Sequence, residues 1–216
     1  MTTTANHRPA ATFADLPGLM SLMTGDDKHD QAATSTLDVL WVLYDRVLRV
    51  TPQTAGDDAR DWFLLSKGHG PMAYYAVLAA KGFVDPGDLS SFGAFHSALG
   101  LRARGLTDSR VFVLVGDAEL DEGSNHEAIA FARAARLDAL HVVVVDNASS
   151  TYGWPGGVEA RFAVEGWSVR RVSGRDHDAL ETALTAPHPG RPHLVAAVVE
   201  PKYAQAQPAS PAATAR

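Results

Sequence analysis

Residues 111–147 read VFVLVGDAELDEGSNHEAIAFARAARLDALHVVVVDN, and this stretch contains the pattern that decides the fold. Two runs rich in valine, Val111–Val115 and Val142–Val145, flank a segment whose apolar residues recur at helical spacing. Such a pattern is typical of a βαβ unit in a buried parallel sheet. Helix-like and strand-like segments alternate along the rest of the chain, so we expect an α/β fold, a parallel sheet with helices on both faces.

Polar side chains follow both of these strand-like runs. The first run ends in Gly116-Asp117 and the second in Asp146-Asn147, so Asp117 and Asn147 are 147 − 117 = 30 positions apart. Ligands of parallel sheets bind in the crevice at the carboxyl ends of the strands, where both side chains are expected. Carboxylate and amide oxygens suit Mg²⁺, which leaves places for waters and ligand phosphates. The alternative is that both residues simply end their strands, as Asp and Asn often do.

Composition excludes several classes of function. The net charge of −6 gives no indication of a nucleic-acid partner. The chain contains no cysteine, which removes disulfides and thiolate metal sites and fits a cytoplasmic location. No run of 18 apolar residues is present, so no membrane span is expected. An ordinary nucleotide site is also not expected, because neither a Gly-x-Gly-x-x-Gly nor a GxxxxGK[ST] loop follows a strand.

Several separated segments resemble the transketolase group of thiamine-diphosphate enzymes and occur in that family's order. The central stretch is similar to the thiamine-diphosphate motif, which opens Gly-Asp-Gly and ends about 30 residues later in Asn. Residues 116–128, GDAELDEGSNHEA, resemble the family's GDG-x-x-x-EG-x-x-x-EA loop. Residues 64–83, LLSKGHGPMAYYAVLAAKGF, resemble its SxGHGxxxxYxxLxxxG segment, and residues 165–180, EGWSVRRVSGRDHDAL, its GWxVxxVdGHDxxxL segment.

This resemblance implies a diphosphate-binding domain that holds thiamine diphosphate and Mg²⁺. The implied metal ligands are Asp117, Asn147 and the backbone carbonyl of Ser149. The implied reaction is the transfer of a two-carbon ketol unit between sugar or sugar-phosphate-like substrates. The implied cofactor-binding residues are His69, Gly116, Asp117, Ala118, Glu119 and Asn147.

Four residues are candidates for catalysis through the same resemblance: His29, His69, Glu122 and Glu127. His69 lies in the Gly-His-Gly turn that contacts the diphosphate in the family. His29 has the family's offset from the following helix, although Asp-Gln follows it in place of Pro-Gly, and a solvated loop histidine is the alternative. Glu122 and Glu127 match interface glutamates, yet an acidic residue at a helix N-terminus is also stabilised by the helix dipole.

The chain departs from the family pattern at two places. Ala118 replaces the third glycine of the Gly-Asp-Gly triad, where glycine permits positive φ and close approach to phosphate. The family's glycine-rich stretch is missing from residues 92–105, FGAFHSALGLRARG. We expect Arg102, Arg104 and Arg110, in and just after this region, to form a solvated basic cluster.

The family's pyrimidine-binding domain, with the glutamate that activates the cofactor, matches no segment of this sequence. We therefore expect an N-terminal subunit of a split transketolase that is inactive without a C-terminal partner subunit, as part of a homo- or hetero-oligomer. The competing hypothesis is a degenerate, non-catalytic member of the fold that acts as a scaffold or regulator. The expected organisation is a flexible segment over residues 1–25, a thiamine diphosphate-binding domain over 26–203 and a disordered tail over 204–216.

Overall fold

The computed structural model describes residues 11–23, 34–67, 71–91 and 109–202. Within these residues five strands form one sheet in the order β1-β2-β3-β5-β4, and every pairing is parallel. The expected α/β fold with a parallel sheet is therefore confirmed. The strands are β1 (Trp62–Leu65), β2 (Val111–Gly116), β3 (Leu140–Asp146), β4 (Ser168–Ser173) and β5 (His193–Val198).

Six α-helices accompany the strands in the described part of the chain. The second helix ends in a π-helical turn, Leu43–Val47. The last helix is capped as its sequence predicts, because the Asp176 side chain accepts hydrogen bonds from the backbone N–H groups of Asp178 and Ala179. The helices are α1 (Leu16–Ser21), α2 (Leu37–Val42), α3 (Pro71–Ala80), α4 (Gly123–Ala134), α5 (Val158–Val164) and α6 (His177–Leu184).

Both faces of the sheet are buried under helices, as expected. Successive side chains of a strand point to opposite faces. In β3, Val143 and Val145 belong to the core cluster that includes residues of α1, α2, α3 and α6, whereas Val144 belongs to the cluster that includes Ile129 of α4 and Phe162 of α5. Burial on both faces is the reason that β3 reads as a continuous apolar run.

The amino-terminal residues differ from the expectation of a flexible segment over 1–25. Residues 11–23 include the helix α1, and Leu16, Met20 and Met23 are buried against the core. Apolar residues spaced three or four apart form this buried face. The threonine-, alanine- and proline-rich composition around them concealed that spacing.

Several expectations concern residues outside the described ranges. They are His29, His69, Arg102, Arg104, the stretch 92–105 and the tail 204–216. Within the described residues, no helix has the length and apolar character that crossing a membrane requires.

Candidate functional site

The carboxylate of Asp117 connects the ends of β2 and β3. Asp117 follows β2 directly and is buried. Its Oδ2 accepts hydrogen bonds from the backbone N–H groups of Ser149 and Ser150, at 2.7 and 3.0 Å, and its Oδ1 accepts one from the Ser149 hydroxyl at 2.6 Å. A carboxylate has about four acceptor positions, two on each oxygen. Oδ1 therefore keeps capacity for one further partner, such as a cation.

A backbone conformation that non-glycine residues rarely adopt produces this arrangement. Ala148 has φ +55°, in the left-handed region. The chain turns sharply there after Asn147, and the N–H groups of Ser149 and Ser150 point back to Asp117. Such strain persists only where the surroundings fix it, and it is commonly found at functional sites.

Asn147 carries an unpartnered polar atom. The residue is only 4% exposed, and its Oδ1 is buried without a hydrogen-bond partner among the residues that the structure describes. Leaving a buried acceptor unsatisfied costs about 1–3 kcal/mol. A ligand that binds to this oxygen would remove that cost, so the amide is suited to a cation at the end of β3.

The backbone of Asn147 is held firmly while its side chain oxygen is unpartnered. Its carbonyl accepts a hydrogen bond from the N–H of Lys202 at 2.8 Å, and the neighbouring Asp146 carbonyl accepts one from Val199 at 3.0 Å. A cavity of about 260 Å³ opens beside Asn147. Its lining consists of Thr34, Ser35, Asn147, Arg175, Glu200 and Lys202.

The end of β2 is closed by the acidic turn that follows it. The Gly116 N–H donates to the Glu119 carboxylate, and a Cβ built on Gly116 would lie 2.5 Å from Glu119 Oε2. A larger residue at position 116 would therefore have to displace the Glu119 carboxylate from the end of β2. The predicted cofactor-binding residue Glu119 thus contacts the strand end itself, with its side chain folded back onto Gly116.

Ala118 does not need the conformational freedom of the glycine it replaces. It begins a 3₁₀ turn, Ala118–Asp121, and Arg136 and Ala148 are the non-glycine residues with positive φ in the described ranges. An alanine therefore fits this backbone without left-handed strain. Any effect of its methyl group on a bound diphosphate remains a prediction.

Asp121 fastens the same loop at a second point. Its carboxylate accepts hydrogen bonds from the Ser150 hydroxyl at 2.6 Å and from the Thr151 N–H and hydroxyl at 2.8 and 2.7 Å. Partial desolvation raises the pKa of Asp121, but these hydrogen bonds outweigh it and hold the pKa below its ordinary value. The loop after β3 is thus attached to the carboxylates of Asp117 and Asp121.

Glu122 and Glu127 are exposed on α4 in this chain. Glu122 occupies the N-cap position of the helix, and its side chain makes no capping hydrogen bond. The structure therefore places both residues at the surface, where a partner surface would be needed to bury them. Their proposed catalytic role stays a prediction.

An ion-pair network beside the cavity was missed by the sequence reasoning. The Arg175 guanidinium contacts the Asp38 carboxylate at 2.5 Å and the Glu200 carboxylate at 2.6 Å, and His177 Nε2 lies 3.0 Å from Asp38 Oδ1. Arg175 stands where the family segment GWxVxxVdGHDxxxL has its histidine. That replacement was the available signal, and the network fixes the segment of Glu200 that lies next to Asn147.

The residues at the ends of β2 and β3 fit a hard cation. The side-chain donors are the Asp117 carboxylate and the unpartnered Asn147 amide oxygen, both of which are oxygen ligands of the kind Mg²⁺ prefers. Within the described ranges, no group of three His, Asp or Glu side chains is arranged to hold a metal ion. A cation at this site would therefore need backbone carbonyl, water or ligand oxygens in addition, which is the usual situation for Mg²⁺.

Comparison with known proteins gives one matching family. Residues 21–100 and 101–199 match the family described as transketolase, thiamine diphosphate binding domain. A protein of Rhodococcoides fascians named "Ferredoxin fas2" is 46% identical, over 87% of this chain and 72% of that protein. The "6-deoxy-6-sulfo-D-fructose transketolase subunit SqwG" of Clostridium sp. (strain MSTE9) is 29% identical, over 72% of this chain and 70% of that protein.

Longer relatives are matched over a smaller part of their length. "Transketolase 2" of Xanthobacter flavus is 30% identical over 77% of this chain, which corresponds to 31% of that protein. Among solved structures, the transketolase from Leishmania mexicana superposes with a TM-score of 0.63 at 18% identity, over 87% of this chain and 36% of that one. That likeness shows the fold, and this chain spans about a third of the length of those two proteins.

Proposed function

Because the chain belongs to the transketolase family as a thiamine diphosphate binding domain, we propose that it is the amino-terminal subunit of a split transketolase. In this proposal it binds thiamine diphosphate through Mg²⁺ and transfers a two-carbon ketol unit together with a carboxyl-terminal subunit. Relatives of similar coverage are named as transketolase subunits, among them an apulose-4-phosphate transketolase subunit of Actinobacillus succinogenes.

The observation that carries the proposal is the buried Oδ1 of Asn147 at the end of β3, which has no hydrogen-bond partner within the described ranges. It lies at the carboxyl-terminal end of the sheet, where Oδ1 of Asp117 also has an unused acceptor position. Both oxygen atoms lack part of their possible hydrogen bonds, and both lie at the carboxyl ends of neighbouring strands. A ligand that binds to both atoms is the best explanation of this arrangement. Mg²⁺ bound to a diphosphate is the ligand that this donor set and this family favour.

Each residue has a separate role in the proposal. When bound, thiamine diphosphate supplies the electron-withdrawing chemistry that ketol transfer requires. Asp117 and Asn147 hold the cation, and the Ser149 carbonyl is its proposed third protein ligand. Gly116, Ala118 and Glu119 line the diphosphate, with His69 in the Gly-His-Gly turn contacting it as well. Glu122 and Glu127 are proposed to move protons once a partner surface covers them.

The substrate class follows from the same relatives. Their names refer to a sulfonated fructose and to apulose 4-phosphate, both of them sugars that carry an anionic group. We propose a sugar or sugar-phosphate-like donor and acceptor for this chain. The word ferredoxin in the name of the Rhodococcoides fascians relative does not transfer, because this sequence has no cysteine to hold an iron–sulfur cluster.

The second candidate is a non-catalytic scaffold on the same fold. It is favoured by the glycine-rich stretch that is missing from residues 92–105 and by Ala118. The argument from Ala118 is the weaker of the two, because the backbone of Ala118 has no left-handed strain.

Reconstitution with a partner subunit distinguishes the two candidates. The purified chain alone is expected to show no ketol transfer, and addition of its pyrimidine-binding partner is expected to produce turnover with a ketose donor. Glu122→Gln should then slow turnover, whereas Glu181→Gln on α6, where Glu181 pairs with Arg46, should not. Binding of the partner without turnover across a broad panel of ketose donors would favour the scaffold.

A further inference from the structure

Two consecutive backbone N–H groups of the loop after β3 point to one carboxylate oxygen. The N–H groups of Ser149 and Ser150 both donate to Oδ2 of Asp117, at 2.7 and 3.0 Å. Consecutive N–H groups that converge in this way form an anion-binding concavity, and here the anion is a side chain of the same chain. The carboxylate at the end of β2 therefore meets hydrogen-bond donors on the side of this loop.

The peptide unit between Ser149 and Ser150 has a fixed direction in this arrangement. Its bond is trans, so its C=O and N–H groups point in opposite directions. Because the Ser150 N–H points to Asp117, the Ser149 carbonyl points away from Asp117. A cation that binds to both Asp117 and the Ser149 carbonyl therefore requires this peptide unit to turn.

Asp121 holds the loop in the observed orientation. Its carboxylate accepts hydrogen bonds from the Ser150 hydroxyl and from the N–H and hydroxyl of Thr151. Ser150 is therefore held from two sides, through its N–H by Asp117 and through its hydroxyl by Asp121. These contacts also offset the strain of Ala148, whose φ of +55° lies in the left-handed region. Turning the peptide unit before Ser150 breaks the bond to Asp117 and moves the residues that Asp121 holds.

Resting on the proposed function, we infer that Asp121 is a positioning residue that controls cation binding through this loop. In the cation-free chain it keeps the Ser149 carbonyl turned away from Asp117, and complete coordination of the cation requires that carbonyl to turn back. The family's GDG-x-x-x-EG loop leaves the position of Asp121 unspecified, so this control belongs to the residues of this chain. A protein whose binding-competent state is a minor population binds its ligand with an affinity reduced by that fraction. The hydrogen bonds of Asp121 therefore lower the affinity of the site for Mg²⁺.

Asp121→Ala and Asp121→Asn remove the same charge but differ in hydrogen bonding. The asparagine oxygen accepts from Thr151 and its NH₂ group donates to the Ser150 hydroxyl, so Asp121→Asn should keep the loop in place. Titration calorimetry of MgCl₂ into the full chain, at a constant concentration of thiamine diphosphate, measures the Mg²⁺ concentration at half-saturation. That concentration should be about fivefold lower in Asp121→Ala than in Asp121→Asn, which is the effect of about one net hydrogen bond.

Hydrogen exchange reports on the loop directly. Without Mg²⁺, the N–H groups of Ser149 and Ser150 should exchange faster in Asp121→Ala than in Asp121→Asn, because the alanine releases the loop. Asp15→Ala is the matched control, since Asp15 likewise accepts from the N–H and hydroxyl of one threonine, Thr12, near the amino-terminal helix. It should leave the exchange rates and the Mg²⁺ concentration at half-saturation as in the wild type. A merely structural role of Asp121 would lower the melting temperature without changing that concentration.

The outcomes separate this inference from the proposed function. If the wild type binds thiamine diphosphate in Mg²⁺ but Asp121→Ala needs as much Mg²⁺ as Asp121→Asn, or more, the inference is wrong while the proposed function stands. If the wild type binds no thiamine diphosphate, the proposed function is wrong and the inference fails with it. Should Asp121→Ala fail to fold by circular dichroism, Thr151→Val decides, because it removes the hydroxyl bond to Asp121 and keeps every charge. It should lower the Mg²⁺ concentration at half-saturation below that of the wild type, and an unchanged concentration would overturn the inference.

Discussion

The Ser149 N–H lies 2.7 Å from Oδ2 of Asp117, and the Ser149 hydroxyl lies 2.6 Å from Oδ1 of the same carboxylate. One side chain at the end of β2 thus organises the loop that leaves β3. The proposed third metal ligand, the backbone carbonyl of Ser149, belongs to the residue that Asp117 binds through these two hydrogen bonds. The conformation of the loop and the geometry of the proposed site therefore depend on the same carboxylate.

Asn147→Ala separates binding from stability. Because its Oδ1 is buried without a partner in the described part of the chain, its removal should change the free energy of unfolding of the ligand-free chain by less than about 1 kcal/mol. Mg²⁺-dependent binding of thiamine diphosphate should fall at least about tenfold. Urea unfolding and titration calorimetry measure the two effects.

Asp117→Ala is the comparison for that variant. It removes the acceptor of three hydrogen bonds, so it should lower stability by about 1–3 kcal/mol as well as abolish binding. A large loss of stability in Asn147→Ala would show that the amide has a structural role instead.

The stability of the chain should fall on mild acidification because of buried histidines near the amino ends of β3 and β5. His188 stacks on His193 and meets His141 edge to face, with ring centroids 4.8 and 4.6 Å apart. Burial, reinforced by the two other histidines, lowers the pKa of His141 to about 3, and burial lowers that of His193. The unfolded chain therefore binds protons below about pH 6.5 that the folded chain does not.

The sign of this effect is a loss of stability as pH falls below about 6.5. His141 contributes up to about 1.4 kcal/mol per pH unit down to about pH 3, and His193 contributes a further loss in the same direction. Urea unfolding at pH 7.5 and pH 5.0 measures this loss of stability. Both pH values lie above the range in which most carboxylates titrate. His141→Gln should reduce the difference between the two conditions. An unchanged difference would show that His141 does not contribute.

Phe131 should contribute to association with a partner. It is 67% exposed on α4, four residues after the exposed Glu127 that matches an interface glutamate of the family. Phe131→Glu should weaken assembly of the chain with itself or with its partner subunit, as measured by sedimentation. Val164→Glu, on the exposed end of α5, is the control and should assemble normally. Equal behaviour of the two variants, or a wild type that stays monomeric with its partner present, would contradict this.

Asp61→Asn should destabilise the chain strongly. Asp61 is buried and pairs with Arg49 at 2.8 Å and with Arg110. These arginines outweigh the effect of burial and hold the pKa of Asp61 far below its ordinary value. Breaking a buried ion pair costs about 3–5 kcal/mol. Because both arginines are partly exposed, we expect the loss of stability in Asp61→Asn to lie at or below about 3 kcal/mol. Thermal unfolding of Asp61→Asn measures this loss of stability, and Asp57→Asn is the control at an exposed aspartate. Equal melting temperatures of the two variants would contradict the prediction.

Periodicity was sufficient to predict most of the sheet. The apolar runs at β2 and β3 have lengths and flanking residues typical of buried parallel strands, and their pairing follows from a short βαβ connection. The polar residues just after those strands followed from the same reasoning. Local patterns of this kind are visible in a sequence because strand and helix repeat on the scale of a few residues.

Contacts between distant residues were not predictable in the same way. Arg110 was expected in a solvated cluster, which is wrong, because it pairs with Asp61, 49 positions away. Lys67 and Ser35, 32 positions apart, were likewise not brought together. Side chains of this kind reveal their partners only when the fold is known, since no repeat in the sequence marks them.

Titration calorimetry of thiamine diphosphate into the wild-type chain, with Mg²⁺ and then with a chelator in its place, tests the central claim most directly. The account predicts saturable binding in Mg²⁺ that disappears with the chelator and is absent from Asp117→Ala under both conditions. Equal binding with and without the metal, or no binding in either, would contradict it.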